Sequence, residues 1–254
     1  MKVIVGDRFK NFADVAGAIT SKQAIRELTR GSDHQGFMLG QGIHEQDAHV
    51  ISVLAHALGL PCQTLEKDRH RAGRDVCHKH QVHNELISHP RKIEDGVFEA
   101  DILIDDRNEI MSDHMTGCHL QGMLLIEAIR QMFIAVSETQ YAHLGVPAGG
   151  YVVFNRLDIA FEQFAFPIAT TVKQQVHSVT QPRPDRAVFA ATLEVYQDKR
   201  RVAKTLVDYT VFEKASLKPK EEKLAQKAVE ELLAQNAVPY IANEVNTNDM
   251  LAAG

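Results

Sequence analysis

Phe189, Ala191, Leu193 and Val195 alternate with polar or small residues. The same alternation returns at Ala203, Thr205, Val207, Tyr209 and Val211, after the polar Asp198-Lys199-Arg200. A period of two is that of a half-buried strand, so the two stretches predict a long hairpin turning at 198–200. Residues 97–104, 151–161 and 170–179 read as three further strands. Residues 118–136 differ: Met123, Leu124, Leu125, Ile126, Ala128, Ile129, Met132, Phe133, Ile134, Ala135 and Val136 leave almost no polar side. A helix that is apolar nearly all round must be buried on most sides. One buried helix followed by a run of antiparallel strands predicts an α+β layer, a sheet wrapped around a single helix.

The first 75 residues follow another rhythm. Val3 to Val5 and Phe37 to Gly40 are short apolar strands. Ser21 opens a helix as its cap. Ala48, Ile51, Val53, Leu54, Ala57 and Leu58 give an apolar helical face that ends at Gly59 and Pro61. Strands alternating with helices predict a small α/β segment with parallel strands over 1–75. Gly40-Gln41-Gly42 has two readings, a plain structural turn or an anion-binding turn before a helix. Residues 64–81 carry Lys67, Arg69, His70, Arg71, Arg74 and Lys79 and read as an exposed connector, or as a docking surface for an acidic partner. Over 215–254, Pro219, Glu221 and Glu222 mark a helix start, and Leu224, Ala228, Leu232 and Leu233 form its stripe. This predicts an amphipathic helix packed on the body or on a partner chain, with a loose tail from Asn243.

Composition narrows the class. Twenty-eight basic residues against 33 acidic ones give a net charge of −5, so no overall nucleic-acid footprint is present. No apolar run is long enough for a bilayer. Met1 to Asp7 turns polar at once and reads as a first strand and not as a signal peptide. Cys62, Cys77 and Cys118 are odd in number and scattered, which argues against a disulfide framework and for a reducing cytoplasm.

Candidate chemistry centres on the buried helix. Glu127, Arg130 and Gln131 lie at i, i+3 and i+4 and share one stripe. An ionised carboxylate among apolar neighbours is costly unless paired, and Arg130 is the nearest partner by spacing. One reading is an ion pair that only fixes the helix; the other is a polar patch at the mouth of an acyl pocket. Burial raises the pKa of Glu127 and the arginine lowers it, and spacing leaves that balance open. Cys77, His78, His80 and His83 invite a zinc site, but no second ligand pair completes one, so no metal is expected. Cys118 lacks a dyad for nucleophilic work. Lys199, Arg200 and Arg201 form either a charged, soluble turn or a contact for an acidic carrier protein, and Arg183 and Arg186 read the same way.

Asp113-His114 followed by Gly122-Met123-Leu124-Leu125-Ile126-Glu127-Ala128 resembles the catalytic segment of β-hydroxyacyl-carrier-protein dehydratases, which are hotdog proteins. Thr116, Gly117, Cys118 and Gln121 stand where those enzymes have a proline-rich loop. A closer resemblance is to the A-factor-biosynthesis (AfsA-type) hotdog family over about 76–213. It rests on Val76-Cys77-His78-Lys79, Glu85-Leu86-Ile87-Ser88, Leu125-Ile126-Glu127-Ala128-Ile129-Arg130-Gln131, Ala142-His143-Leu144-Gly145-Val146-Pro147 and Phe154-Asn155-Arg156-Leu157-Asp158, in that order. The resemblance implies a single hotdog domain over 76–214, a long central helix wrapped by an antiparallel sheet. It implies transfer of a β-ketoacyl chain from an acyl carrier protein or coenzyme A thioester to a hydroxyl of a dihydroxyacetone-phosphate-like acceptor, on the way to γ-butyrolactone or butenolide signals. Glu127 and Arg130 are then catalytic, with His114 as a loop base. Gln131, Gly122 and Asp113 would contact substrate, and Lys199, Arg200 and Arg201 the carrier protein. No cofactor is expected. Family members commonly carry two hotdog repeats; this chain has one, which implies a homodimer. The alternatives are a hotdog dehydratase or thioesterase, and a non-catalytic acyl-binding module.

Overall fold

A computed structural model describes residues 1–113 and 117–236. The first sheet is parallel and has four strands, β1 (Lys2–Val5), β2 (Ile19–Thr20), β3 (Phe37–Leu39) and β4 (Cys62–Thr64), in the order β2-β1-β3-β4. Helices α1 (Lys10–Ala16), α2 (Ser21–Arg30) and α3 (Glu45–Ala57) connect them. The cap of α2 is Thr20 and not Ser21: Gln23 N–H donates to the Thr20 hydroxyl, and the Gln23 amide oxygen accepts from Thr20 N–H. Ser21 is already inside the helix and buried. Strands β2 and β4, of two and three residues, are too short to show a period and were not expected.

The second sheet is antiparallel. It comprises β5 (Arg91–Glu94), β6 (Val97–Ile102), β7 (Tyr151–Phe161), β8 (Thr170–Arg183), β9 (Arg186–Gln197) and β10 (Arg200–Phe212), ordered β5-β6-β8-β9-β10-β7. The α+β hotdog arrangement is present: one long helix, α5 (Gly122–Gln140), lies against this sheet. Phe133 on α5 stacks on Tyr209 with ring centroids 4.3 Å apart, and Tyr209 stacks on Phe189 at 5.0 Å. Phe189, Tyr209 and Phe154 are cross-strand neighbours, so three strands meet the helix in one row. Leu124, Ala128, Met132, Phe133, Ile134, Ala135 and Val136 are fully buried. Each of the larger ones contributes about 1.5–3 kcal/mol by leaving water. Strands β8 and β9 run further than their apolar residues foretell, because their turn is the tight Pro184-Asp185 and the polar ends still pair, Arg183 with Arg186.

Residues Met1–Lys214 form one compact unit, and a second begins at Ala215. Within the first unit, Gln41 joins the two sheets. Its Nε2 donates to Glu66 Oε1 and to the Ile102 carbonyl, both at 2.8 Å, and its Oε1 accepts from Ile104 N–H at 2.8 Å. Gly42 has φ +76°, and a Cβ there would lie 2.5 Å from the Phe9 ring. Gly40-Gln41-Gly42 is therefore a structural turn.

Residues 64–81 are an exposed connector only in part: Lys67, Arg69, His70 and Arg74 are exposed, but other residues are not. Glu66, Ala72 and Cys77 are buried, Arg71 Nη1 donates to the carbonyls of Leu103 (2.8 Å) and Glu85, and Lys67 pairs with Glu99 at 2.5 Å. Part of its polarity serves buried carbonyls and carboxylates, a role that a hydropathy pattern does not distinguish from solvation. Helix α6 (Lys214–Gln235) starts five residues before Pro219, and none of its residues is buried; Leu224, Leu232 and Leu233 are exposed. The tail expected from Asn243 lies outside the described residues. Among those described, no helix is long and apolar enough to cross a membrane.

Candidate active site

The core takes most of α5, but Met123, Ile126, Glu127 and Arg130 keep some exposure and mark one open stripe. On it sits a charged cluster. Arg130 donates from Nε to Glu127 Oε2 (2.7 Å) and from Nη2 to Oε1 (2.9 Å), a bidentate pair. Gln131 Nε2 donates to Glu127 Oε1 at 2.9 Å and to the Asn84 carbonyl at 2.8 Å, while its Oε1 accepts from Leu86 N–H at 2.7 Å. Lys79 Nζ reaches Glu127 Oε1 at 2.6 Å. Burial alone would push the Glu127 carboxyl up, but Arg130, Gln131 and Lys79 together hold it below its ordinary range. Glu127 is thus an anion with four donors. Its side chain is 14% exposed, Lys79 23% and Arg130 26%, so the cluster is reachable from outside.

Lys79 was expected only as part of a basic connector. No spacing in the sequence marks it, because its partner lies on a distant segment. Glu127 and Glu138 are eleven residues apart, about three helical turns, and so lie on one stripe. Adjacent residues His78 and Lys79 engage them in turn: His78 Nε2 meets Glu138 Oε1 at 2.9 Å. His78 takes a left-handed conformation, φ 52°, at the end of the short helix α4 (Arg74–Cys77), which lets successive side chains diverge along α5. Glu138 also accepts from Gly149 N–H (2.8 Å) and Gly150 N–H (3.1 Å), anchoring the start of β7.

The other expected site residues fall as follows. His114 lies outside the described residues. Asp113 is exposed on the loop before it. Gly122 opens α5 and faces Phe161, whose ring would come within 2.9 Å of a Cβ there. Lys199 and Arg200 are exposed at the β9–β10 turn. Arg201 is not free: it pairs with Glu162 at 2.9 Å and Glu194 at 2.6 Å. Arg186 pairs with Asp185 at 2.9 Å. Cys77 faces the core, where burial and then Glu85 push its thiol up to about 12. Among the described residues, no group of three or more His, Cys, Asp or Glu side chains is arranged to hold a metal ion.

The family description "A-factor biosynthesis hotdog domain" matches residues 63–213. No curated protein matches the chain. Solved structures with similarity include a putative thioesterase from Shewanella oneidensis, 14% identical, covering 50% of this chain and 82% of that one, TM-score 0.37. A putative thioesterase, a phenylacetic acid degradation-related protein from Ralstonia eutropha JMP134, is 17% identical over 48% and 83% of the two chains, TM-score 0.36. A hypothetical thioesterase protein with coenzyme A from Streptococcus pneumoniae TIGR4 is 16% identical over 49% and 84%, TM-score 0.34.

Proposed function

The chain belongs to the A-factor biosynthesis hotdog family, and on that premise we propose that it transfers a β-ketoacyl chain from a carrier-protein or coenzyme A thioester to a hydroxyl of a small phosphorylated acceptor. The observation that carries this reading is the ionised, reachable Glu127–Arg130–Lys79 cluster on an otherwise apolar helix. In the transfer, the acceptor oxygen bonds the thioester carbon and the C–S bond breaks. The hydroxyl proton ends on the departing thiolate. Glu127 accepts that hydroxyl's hydrogen bond and relays its proton. A carboxylate with four donors is a weak base, so one donor must give way. Gln131 is fully buried and fixed to the 84–86 loop, whereas Lys79 is a flexible cation with donors to spare. Lys79 therefore turns from Glu127 to the acceptor phosphate as the hydroxyl arrives. Arg130 uses Nε and Nη2 on Glu127, which leaves Nη1 for the developing oxyanion.

A homodimer belongs to the same reading. Strand β7 is a long edge strand. Phe154, Leu157 and Phe161 pair in register with the inward-facing Tyr209, Val207 and Ala203 yet stay 38–50% exposed. An apolar edge of this length invites pairing with a second copy. Lys199 and Arg200 supply the positive turn for an acidic carrier protein. Asp113 and Gly122 keep the substrate contacts, and His114 the base role, that the resemblance implies.

Mass spectrometry after incubation with β-ketoacyl and β-hydroxyacyl thioesters, with and without dihydroxyacetone phosphate, tests the proposal. A new phosphorylated ester is expected, and Glu127→Gln should abolish it. Free acid or loss of water as the main product would replace acyl transfer with thioesterase or dehydratase action. No turnover at all would leave an acyl-binding module. Light scattering should show a dimer, and a clean monomer at micromolar concentration would remove the assembly.

A further inference from the structure

A cleft of about 650 Å3, lined by none of the residues of the Glu127 cluster, runs along β4 and the carboxyl end of β3. Leu39 and Thr64, the last residues of those strands, line it, with Ala48 and Ser52 of α3 on one wall and Leu103 and Ile104 beneath. The crevice beyond the carboxyl ends of parallel strands is the usual place for a ligand in such sheets. Its size suits a small organic molecule, for which about 300–1,000 Å3 is typical.

Charge decides what kind. Among the described residues that line the cleft, Arg69 and Arg71 stand against a single carboxylate, Glu45. Arg69 is about a third exposed and only loosely held, 3.3 Å from Thr64 Oγ1 and 3.7 Å from Glu66. Arg71 is the telling residue. Its Nη1 donates to the Leu103 and Glu85 carbonyls, which fixes the side chain without neutralising it. Asp105, Glu85 and Glu45 act on it only from a distance, and desolvation pushes its pKa down. A desolvated guanidinium without a bonded carboxylate calls for a counter-anion. Its remaining edge, Nε and Nη2, matches a two-oxygen partner.

We propose that this cleft is a second ligand site, for a small molecule with an apolar body and a phosphate or carboxylate group held by Arg71 and Arg69. The apolar floor takes the body, and the guanidiniums take the oxyanion. The site uses none of the residues of the Glu127 cluster, so it stands whether or not that cluster transfers acyl groups.

Calorimetric titration of the full chain with inorganic phosphate, acetate, phenyl phosphate and benzoate tests it. Phenyl phosphate or benzoate should bind saturably and at least about tenfold tighter than the bare anion of its pair. The two pairs distinguish a phosphate ligand from a carboxylate one. Arg71→Gln should abolish binding, and Arg69→Ala should weaken it about tenfold. Ala48→Leu, which fills the cleft, should block the aromatic probes. If Arg71→Gln does not fold, the other two variants decide. Glu127→Gln should leave the affinities unchanged. No saturable binding, or binding that survives Arg69→Ala and Ala48→Leu but is lost in Glu127→Gln, overturns the proposal and moves the anion to the helix cluster.

Discussion

Lys79 and Glu127 touch at 2.6 Å across two segments that are 48 positions apart, and a double-mutant cycle measures what that contact contributes. Breaking a fully buried ion pair costs about 3–5 kcal/mol, whereas an exposed pair is worth under about 1. With side chains 23% and 14% exposed, this pair falls between. After Lys79→Met, Glu127 keeps both Arg130 bonds and the Gln131 bond, so the loss should be about 1.5 kcal/mol. Glu127→Gln leaves two cations facing an amide and should cost about 3 kcal/mol. In the double variant only Arg130 lacks its partner, and the loss should stay near 3 kcal/mol instead of the additive sum. The coupling is then about 1.5 kcal/mol, read from urea unfolding midpoints with unchanged slopes. Additivity within about 0.3 kcal/mol would show that the two groups do not meet in solution, and the proposed role of Lys79 would fall with the contact.

Three further outcomes follow from other contacts. Glu138→Ala removes the acceptor of Gly149 N–H, Gly150 N–H and His78 and should lower unfolding stability by about 3 kcal/mol. Thr205 is fully buried in β10 and its hydroxyl has no hydrogen-bond partner among the described residues, so Thr205→Val should raise stability by about 1 kcal/mol in the same assay. Because the folded pKa of Glu127 is depressed, its contribution is complete above the ordinary glutamate value of about 4.3 and fades as pH falls through the lower folded value. Glu127→Gln should therefore flatten the acid limb of a stability–pH profile, and an acid limb of unchanged slope would contradict the depressed pKa.

The hydrophobic pattern makes the hotdog layer legible in the sequence. The alternation from Phe189 to Val211 marked the hairpin, and the all-round apolar 118–136 stretch marked the central helix. The i, i+3, i+4 spacing also brought Glu127, Arg130 and Gln131 together, because a helix fixes neighbours by spacing alone. What spacing cannot supply is a long-range partner. Lys79 belongs to a stretch whose polarity looks like solvation, and only the tertiary fold turns it onto α5. Arg71 was hidden in the same way, its charge buried against carbonyls that carry no sequence signature. Strands β2 and β4 were missed because two or three residues cannot display a period. Helix α6 was placed too late because Pro219 reads as a start, while the structure carries it inside the helix.

The way residues 1–62 meet the family domain argues that they are part of its structural support. Val5, Phe9 and Ala13 belong to the same buried cluster as Leu124, Phe133 and Tyr209. Gln41 serves the Ile102 carbonyl and Ile104 N–H at the end of β6, Gly42 N–H serves the Ile104 carbonyl at 3.0 Å, and Gln41 N–H serves the Pro167 carbonyl at 3.0 Å. Arg8 Nη1 donates to the Met111 carbonyl at 3.0 Å, just ahead of the loop that leads to α5. Deleting residues 1–62 would return these backbone groups to water, at a net loss of about 0.5–1.5 kcal/mol per bond, and would uncover the apolar surface under Phe9. Five such bonds together come to about 2.5–7.5 kcal/mol, a large fraction of the roughly 5–15 kcal/mol that holds a typical domain. A chain cut to residues 63–236 should therefore melt far below the full chain or fail to stay in solution, even though the family match lies almost wholly within it. A truncated protein with the full chain's melting temperature and helix content by circular dichroism would show that the hotdog layer stands alone, and that the parallel sheet is an appendage.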